Sequence, residues 1–380
     1  MIRIIASSAL LLMSTFHAFA VPHILVDLDN GHVLSHKQAF HPWHPASLTK
    51  LMTALVVFRA IDAGEIAPTD TVTVSKNARR QPPSRMGYAV GTTLTVEDAL
   101  KLLIVKSAND ISVALAESVA GSVPRFAERM NAEASRIGMT SSRFANPHGL
   151  HDPRQVITAR DFAILLRVLH QNYPRYSDWF KAPGLLAEKL NKKKKKIQRV
   201  YYSYNLLLER YRGADGFKTG FVCASGYNFA GSASRGGRRI AAVVLGRDSQ
   251  TSRVVDAAKL ITRGFELPVT DGVPLMELKA PADVRTSPRN MRSVLCTPEA
   301  RAKRYEPGAG QAVIKSPWLS RREKQKIVLT SSILGRVSSR PVTIPTPRPD
   351  YKKPEPIDGA LIQASRSVPI PVFRPDTVFN

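Results

Sequence analysis

Strand-forming segments stand at both ends of this chain with helices between them, and their backbone groups are satisfied only if the two ends meet in one sheet. At the start, Ile24 to Asp29 and His32 to His36 flank Asn30-Gly31, a dipeptide suited to a type I′ hairpin. Much later, Arg199 to Tyr204, Gly216 to Val222, Tyr227 to Ala233 and Arg239 to Leu245 carry β-branched or aromatic residues separated by glycines. The middle is helical. An apolar stretch from Leu51 to Ile61 follows Pro42 and Pro45 and stops at Gly64. Thr95, with Glu97 and Asp98, opens a run from Val96 to Val105, and Ser107 to Asn109 breaks it before a helix through Ala120. Helices are expected at Val123–Ile137, at Thr158–His170 with Thr158 as N-cap, and at Thr251–Gly264. The layout predicts an α/β (mixed α+β) fold, an antiparallel sheet flanked by helices plus a helical subdomain.

Three regions follow from composition. Residues 1–20 read as an export signal: Arg3, the apolar run Ile4 to Met13, and Ala18-Phe19-Ala20 as the cleavage site. Residues 21–265 form one large domain. Residues 266–380 are a proline-rich basic tail, largely extended or disordered, within which Trp318 to Val337 forms a surface helix or a strand pair. The formal charge of +25 favours polyanions. Export argues against nucleic acid, leaving an anionic envelope polymer or a membrane surface as the partner class. The run Lys192 to Lys196 is expected as a solvated loop or a contact for such a polymer. Cys223 and Cys296, far apart and in different regions, are expected as two free thiols. His23, His32, His36, His41 and His44 lack metal-ligand spacing and are expected at the surface or in turns; no cofactor is called for.

Three short motifs carry chemistry: Ser47-Leu-Thr-Lys50, Ser107-Ala-Asn109 and Lys218-Thr-Gly220. Each alone is weak, but in this order they match S-x-x-K, S-x-N and K-T-G, the set of serine acyl-enzymes that act on D-alanyl peptides and β-lactams. A serine hydroxyl needs a base, and a lysine serves only when neutral, against an ordinary pKa of about 10.4. Burial of Lys50 with Lys218 alongside would favour the neutral form. Lys50 lies one helical turn from Ser47. Ser107 is the expected proton relay, and Asn109 holds the Lys50 amine and a substrate amide. The backbone N–H groups of Ser47 and Phe221 are the expected oxyanion donors.

Longer stretches around these motifs carry a resemblance. Pro45-Ala-Ser-Leu-Thr-Lys-Leu-Met-Thr-Ala54, Ser107-Ala-Asn-Asp-Ile-Ser-Val-Ala-Leu-Ala-Glu117, Asn146-Pro-His-Gly-Leu-His-Asp-Pro153, Asp215-Gly-Phe-Lys-Thr-Gly220 and Ser225-Gly-Tyr-Asn228 make residues 22–265 resemble the low-molecular-mass penicillin-binding proteins, the serine-type D-alanyl-D-alanine carboxypeptidases. The resemblance implies the penicillin-recognising fold, with a five-stranded antiparallel sheet and the site between sheet and helical subdomain. It implies Ser47 as nucleophile, Lys50 as base, Ser107 and Asn109 as the second element, and Lys218, Thr219 and Gly220 at the substrate's terminal carboxylate. Arg253, placed in the loop after Gly246, is the matching carboxylate-binding arginine. Peptidoglycan stem peptides are the implied substrates, β-lactams the covalent inhibitors, and the periplasm, at most peripheral to the inner membrane, the location. The threonine that the family often shows near Val222 or Cys223 is absent. Three other readings stand beside this one: a D,D-endopeptidase, a β-lactamase, for which Glu188-Lys-Leu-Asn191 has the wrong spacing, and a non-catalytic peptidoglycan-binding protein.

Overall fold

The computed structural model describes residues 21–191, 195–269, 272–305, 314, 316–320 and 327–336. In chain order the strands are β1 (His23–Asp27), β2 (His32–Lys37), β3 (Thr71–Thr73), β4 (Thr92–Thr95), β5 (Gly184–Leu190), β6 (Lys196–Tyr202), β7 (Ala214–Val222), β8 (Gly226–Arg235), β9 (Arg238–Arg247), β10 (Val273–Pro274), β11 (Leu329–Ser331) and β12 (Gly335–Arg336). The helices that matter most are α1 (Thr49–Asp62), α2 (Lys76–Arg80), α3 (Val96–Lys101), α4 (Asn109–Ala120), α5 (Val123–Arg136), α6 (Ala159–Asn172) and α7 (Gln250–Glu266).

The chain ends of the large domain meet as expected. The main sheet runs β10-β2-β1-β9-β8-β7, five antiparallel strands with a two-residue addition at one edge. Its centre is buried on both faces, which is why β9 reads as the unbroken apolar run Ile240 to Leu245. Ala241, Val243 and Leu245 face the large core shared with α1, α4 and α6. Ile240, Ala242 and Val244 pack instead with Val254, Ala257 and Ile261 of α7. Helix α1 is apolar all round because α4, α5 and α6 surround it, and ten of its residues from Thr49 to Phe58 are buried. The caps Thr95 and Thr158 accept from Asp98 N and Asp161 N at 3.0 and 3.1 Å.

Three expectations need correction. The segment Arg199 to Tyr204 does not join the main sheet: β6 pairs with β5 in a separate sheet ordered β11-β5-β6. Strand β5 itself, Gly184-Leu-Leu-Ala-Glu-Lys-Leu190, is built from good helix formers, so local propensity hid it and pairing overrode it. The cysteines are not free thiols, since Cys223 and Cys296 form a disulfide with a Cα–Cα distance of 5.7 Å. Sequence separation misled because residues 291–296 fold back onto the β7–β8 turn, where Met291 N donates to Ala224 O at 2.9 Å. Finally, His44 is buried outside any turn, whereas His41, also buried, does close a turn through its N–H to Gln38 O.

Described parts of the region after 265 pack on the domain. β10 extends the main sheet, β11 lies parallel to β5, and β12 pairs with β4. Trp318 to Val337 thus contains two short strands that pair with different partners and not with each other. The segment 1–20, the prolines at 341–356 and Lys192–Lys194 lie outside the described residues. Among the described residues no helix is long and apolar enough to cross a membrane.

Candidate active site

Ser47 sits in a 3-10 turn, Ala46–Leu48, that leads straight into α1. The preceding residue, Ala46, is held at φ +49°, a left-handed conformation that alanine adopts only under constraint from its surroundings. The constraints are visible. Thr49 Oγ1 donates to Ala46 O at 2.8 Å. Gly149 packs so tightly on Ala46 that a Cβ there would collide with the same carbonyl. From the sheet side, Asn228 Nδ2 donates to His44 O and Pro45 O at 2.9 and 3.1 Å, while its Oδ1 accepts from Gly246 N. Asn228 is fully buried with its acceptor and donors engaged, so it fastens the approach to Ser47 onto β8 and β9.

Lys50, one turn on from Ser47, is fully buried. Its Nζ lies 2.8 Å from Asn109 Oδ1, 2.6 Å from His148 O and 3.2 Å from Ser47 Oγ. The first two are acceptors only; the serine hydroxyl alone among the three carries a proton. A neutral amine that donates to Asn109 and His148 therefore turns its lone pair toward Ser47. Burial, and then the charge of Lys218, hold the Lys50 amine well below its ordinary pKa, with Asp110 opposing weakly.

Asn109 opens α4 directly after the break, and Ser107 in that break takes φ +62°. The turn lets the chain leave a short π-helical stretch, Leu102–Lys106, and re-enter a helix with Asn109 aimed at Lys50. Ser107 is buried beside these groups in the chain. Sequence reasoning missed the loop that braces Asn109: its Nδ2 donates to Pro82 O at 2.9 Å and its N–H to Ser84 O at 2.7 Å. No periodicity marks residues 82–84. The part of His148 was missed too, although Asn146-Pro-His-Gly is among the stretches that carry the resemblance, because a backbone carbonyl leaves no trace in residue type.

Lys218, Thr219, Gly220 and Phe221 lie on β7, the edge of the main sheet. Gly220 passes directly against the backbone of Ser47, where a Cβ would stand 2.8 Å from Ser47 N. Arg253 belongs to the first turn of α7 and not to the preceding loop, a correction that agrees with the helix expected from Thr251, which starts one residue earlier under the Ser249 cap. From there Arg253 reaches under the sheet edge, with Nη1 3.5 Å from Asn228 O, Nη2 3.4 Å from Tyr204 O, and a buried Nε without a partner. Lys218 is buried as well, and its amine has a long contact to Thr219 O at 3.4 Å. Among the described residues Lys50, Lys218 and Arg253 make no ion pair. Buried cations left this way cost stability unless an anion completes the site.

Burial, followed by the charges of Arg253 and Lys106, pulls Lys218 down to about 7 from 10.5. Between those values the unfolded chain binds a proton that the folded chain does not. The cost is full below about pH 7 and fades as pH rises toward 10.5. Thermal melts of the parent protein are expected to climb more steeply from pH 7 to pH 10 than those of Lys218→Met. Parallel curves would show that Lys218 does not carry this burden.

With the site assembled, its relatives can be stated. A family model described as D-alanyl-D-alanine carboxypeptidase (peptidase S11) matches residues 13–249. The chain belongs to this family. The S11 chain is 38% identical over 248 residues to D-alanyl-D-alanine carboxypeptidase DacC of Escherichia coli K12, covering 64% of itself and 60% of that protein. To DacA of Haemophilus influenzae it is 36% identical over 254 residues, covering 65% of itself and 62% of the relative. It thus spans about three fifths of the length of these curated relatives. Among solved structures, DacD from Francisella tularensis superposes with a TM-score of 0.62 at 28% identity, over 68% of this chain and 74% of that one. Penicillin-binding protein D2 from Listeria monocytogenes, in a cefotaxime-bound form, gives 0.55 at 29% identity, over 64% and 96%.

Proposed function

We propose that this S11-family protein is an exported, periplasmic serine carboxypeptidase that removes the terminal D-alanine from peptidoglycan pentapeptides and is acylated by penicillin. The observation that carries the reading is the Lys50 amine, buried and held by two pure acceptors with Ser47 Oγ at 3.2 Å. Neutral Lys50 takes the serine proton as Oγ attacks the carbonyl carbon. The backbone N–H groups of Ser47 and Phe221 receive the developing oxyanion. The C–N bond then breaks, and the departing amine takes the proton, relayed through Ser107. Water, activated by the same lysine, hydrolyses the ester and restores the hydroxyl. Lys218, Thr219 and Arg253 hold the terminal carboxylate, which gives two buried cations the partner they lack. The cefotaxime-bound relative supports acylation by β-lactams.

Slow release of penicillin fits the site better than lactamase turnover. Glu188 lies on β5 with its carboxylate engaged by Lys196 at 3.1 Å and Ile333 N at 3.2 Å, so it is not poised to activate water. The charge of +25 supports a further association with an anionic envelope polymer or membrane surface. The test is direct. Incubation with fluorescent penicillin should label one peptide, the one containing Ser47, with the label retained for minutes, and a D-Ala-D-Ala pentapeptide should release D-alanine. Absence of both label and D-alanine would overturn the assignment.

A further inference from the structure

A fourth cation stands at the rim of the carboxylate pocket. Lys106, the last residue before Ser107, donates from Nζ to Tyr204 Oη at 3.1 Å. The amine also lies 5.2 Å from the Tyr204 ring centre and 5.6 Å from that of Tyr201. The backbone carbonyl of the same Tyr204 touches Arg253 Nη2 at 3.4 Å. One tyrosine thus spans from the buried arginine to the rim lysine. The shelf is braced from below, since Ser84 Oγ donates to Lys106 O at 3.1 Å and Ser84 O accepts from Asn109 N. Tyr204 is 46% exposed, so the shelf is open to a ligand. Among the described residues Lys106 makes no ion pair, and the nearby Asp110 carboxylate is spent on Met86, Gly87 and Ile111 N–H groups.

We propose that Lys106, steadied by Tyr204, is a specificity-determining residue that receives a second anionic group carried by the side chain of the departing residue. The inference rests on the functional reading above, in which Lys218, Thr219 and Arg253 hold that residue's α-carboxylate. Tyr204, whose backbone carbonyl meets Arg253 and whose hydroxyl meets Lys106, offers a substituent on the α-carbon a route from that carboxylate's seat to Lys106. Terminal D-alanine, with a methyl side chain, does not use this shelf. A D-residue whose side chain is acidic, or continues into an acidic peptide as at a crosslink, does. The site is therefore suited to leaving groups larger and more negative than D-alanine.

The experiment compares N-acylated peptides ending in D-Ala-D-Glu and D-Ala-D-Gln, which differ in charge but hardly in shape. The parent is expected to release D-Glu with a kcat/KM about tenfold above D-Gln, the scale of one charge-assisted hydrogen bond at a half-exposed site. Lys106→Gln should bring that ratio to about one. Lys106→Glu should invert it, favouring D-Lys over D-Glu at the leaving position. A merely structural role would lower all substrates together and leave the ratio in place. Equal rates on D-Glu and D-Gln in the parent, or a ratio untouched in both variants that still bind penicillin, would overturn the proposal. Failure of the functional reading looks different: no cleavage of D-Ala-D-Ala and no penicillin adduct in the parent itself.

Discussion

Lys50→Arg is expected to acylate with penicillin at least about a thousandfold more slowly than the parent, because a guanidinium stays charged and offers no lone pair to Ser47. The setting of the parent amine favours its neutral form: burial, and then the like charge of Lys218, lower its pKa, and two acceptors take its protons. Arginine keeps the charge but loses the base. Since the larger head strains a close-packed site, Lys50→Met serves as its companion, removing the base at similar volume. Deleting the buried, unpaired amine relieves its desolvation but leaves Asn109 Oδ1 and His148 O without a donor, so the methionine variant should stay folded with stability near the parent's. Stopped-flow labelling with fluorescent penicillin, beside thermal melts, reads both. A folded Lys50→Met protein acylating within tenfold of the parent would remove lysine from the chemistry.

Ser47→Ala is expected to lose D-alanine release by about ten-thousandfold or more and to take no covalent label, since no other group replaces the acyl acceptor. The change should leave the fold alone. The turn at residues 46–48 is held by Thr49, Gly149 and Asn228, none of which uses the Ser47 side chain. Reversible penicillin binding should persist, because Lys218, Thr219 and Arg253 are untouched. A Ser47→Ala protein that released D-alanine at the parent's rate would place the nucleophile elsewhere.

The contrast between Ser47 and Asn228 shows how much of this site is legible in residue order. Ser47 and Lys50 lie three apart on one helical turn, so their contact follows from local geometry alone. Asn228 reaches back 183 residues to Pro45, and no local pattern encodes that reach. Arg253 shows an intermediate case, since its type and its helix were legible and its reach to Asn228 O and Tyr204 O was not. The cysteines mark the same limit from the other side. Their separation of 73 residues suggested independence, whereas the fold lays residues 291–296 over the turn that carries Cys223.

Residue order by itself determined the hairpin of β1 and β2, the capped helices, the strand at β9, and the three motifs with the chemistry they allow. These depend on periodicity and on backbone preferences acting over a few residues. The hairpin's turn spans residues 28–31 with Gly31 but not Asn30 at positive φ, so it is not the type I′ turn that Asn30-Gly31 suggests. Tertiary structure alone decided that β6 would leave the main sheet for β5, that Gly220 would lie against Ser47 N, and that Lys50 and Lys218 would, among the described residues, form no ion pair. Such placements depend on which surfaces exclude water together, and the lowered pKa values are consequences of that exclusion. The Lys50 amine is drawn toward its neutral form chiefly because packing has taken its water away.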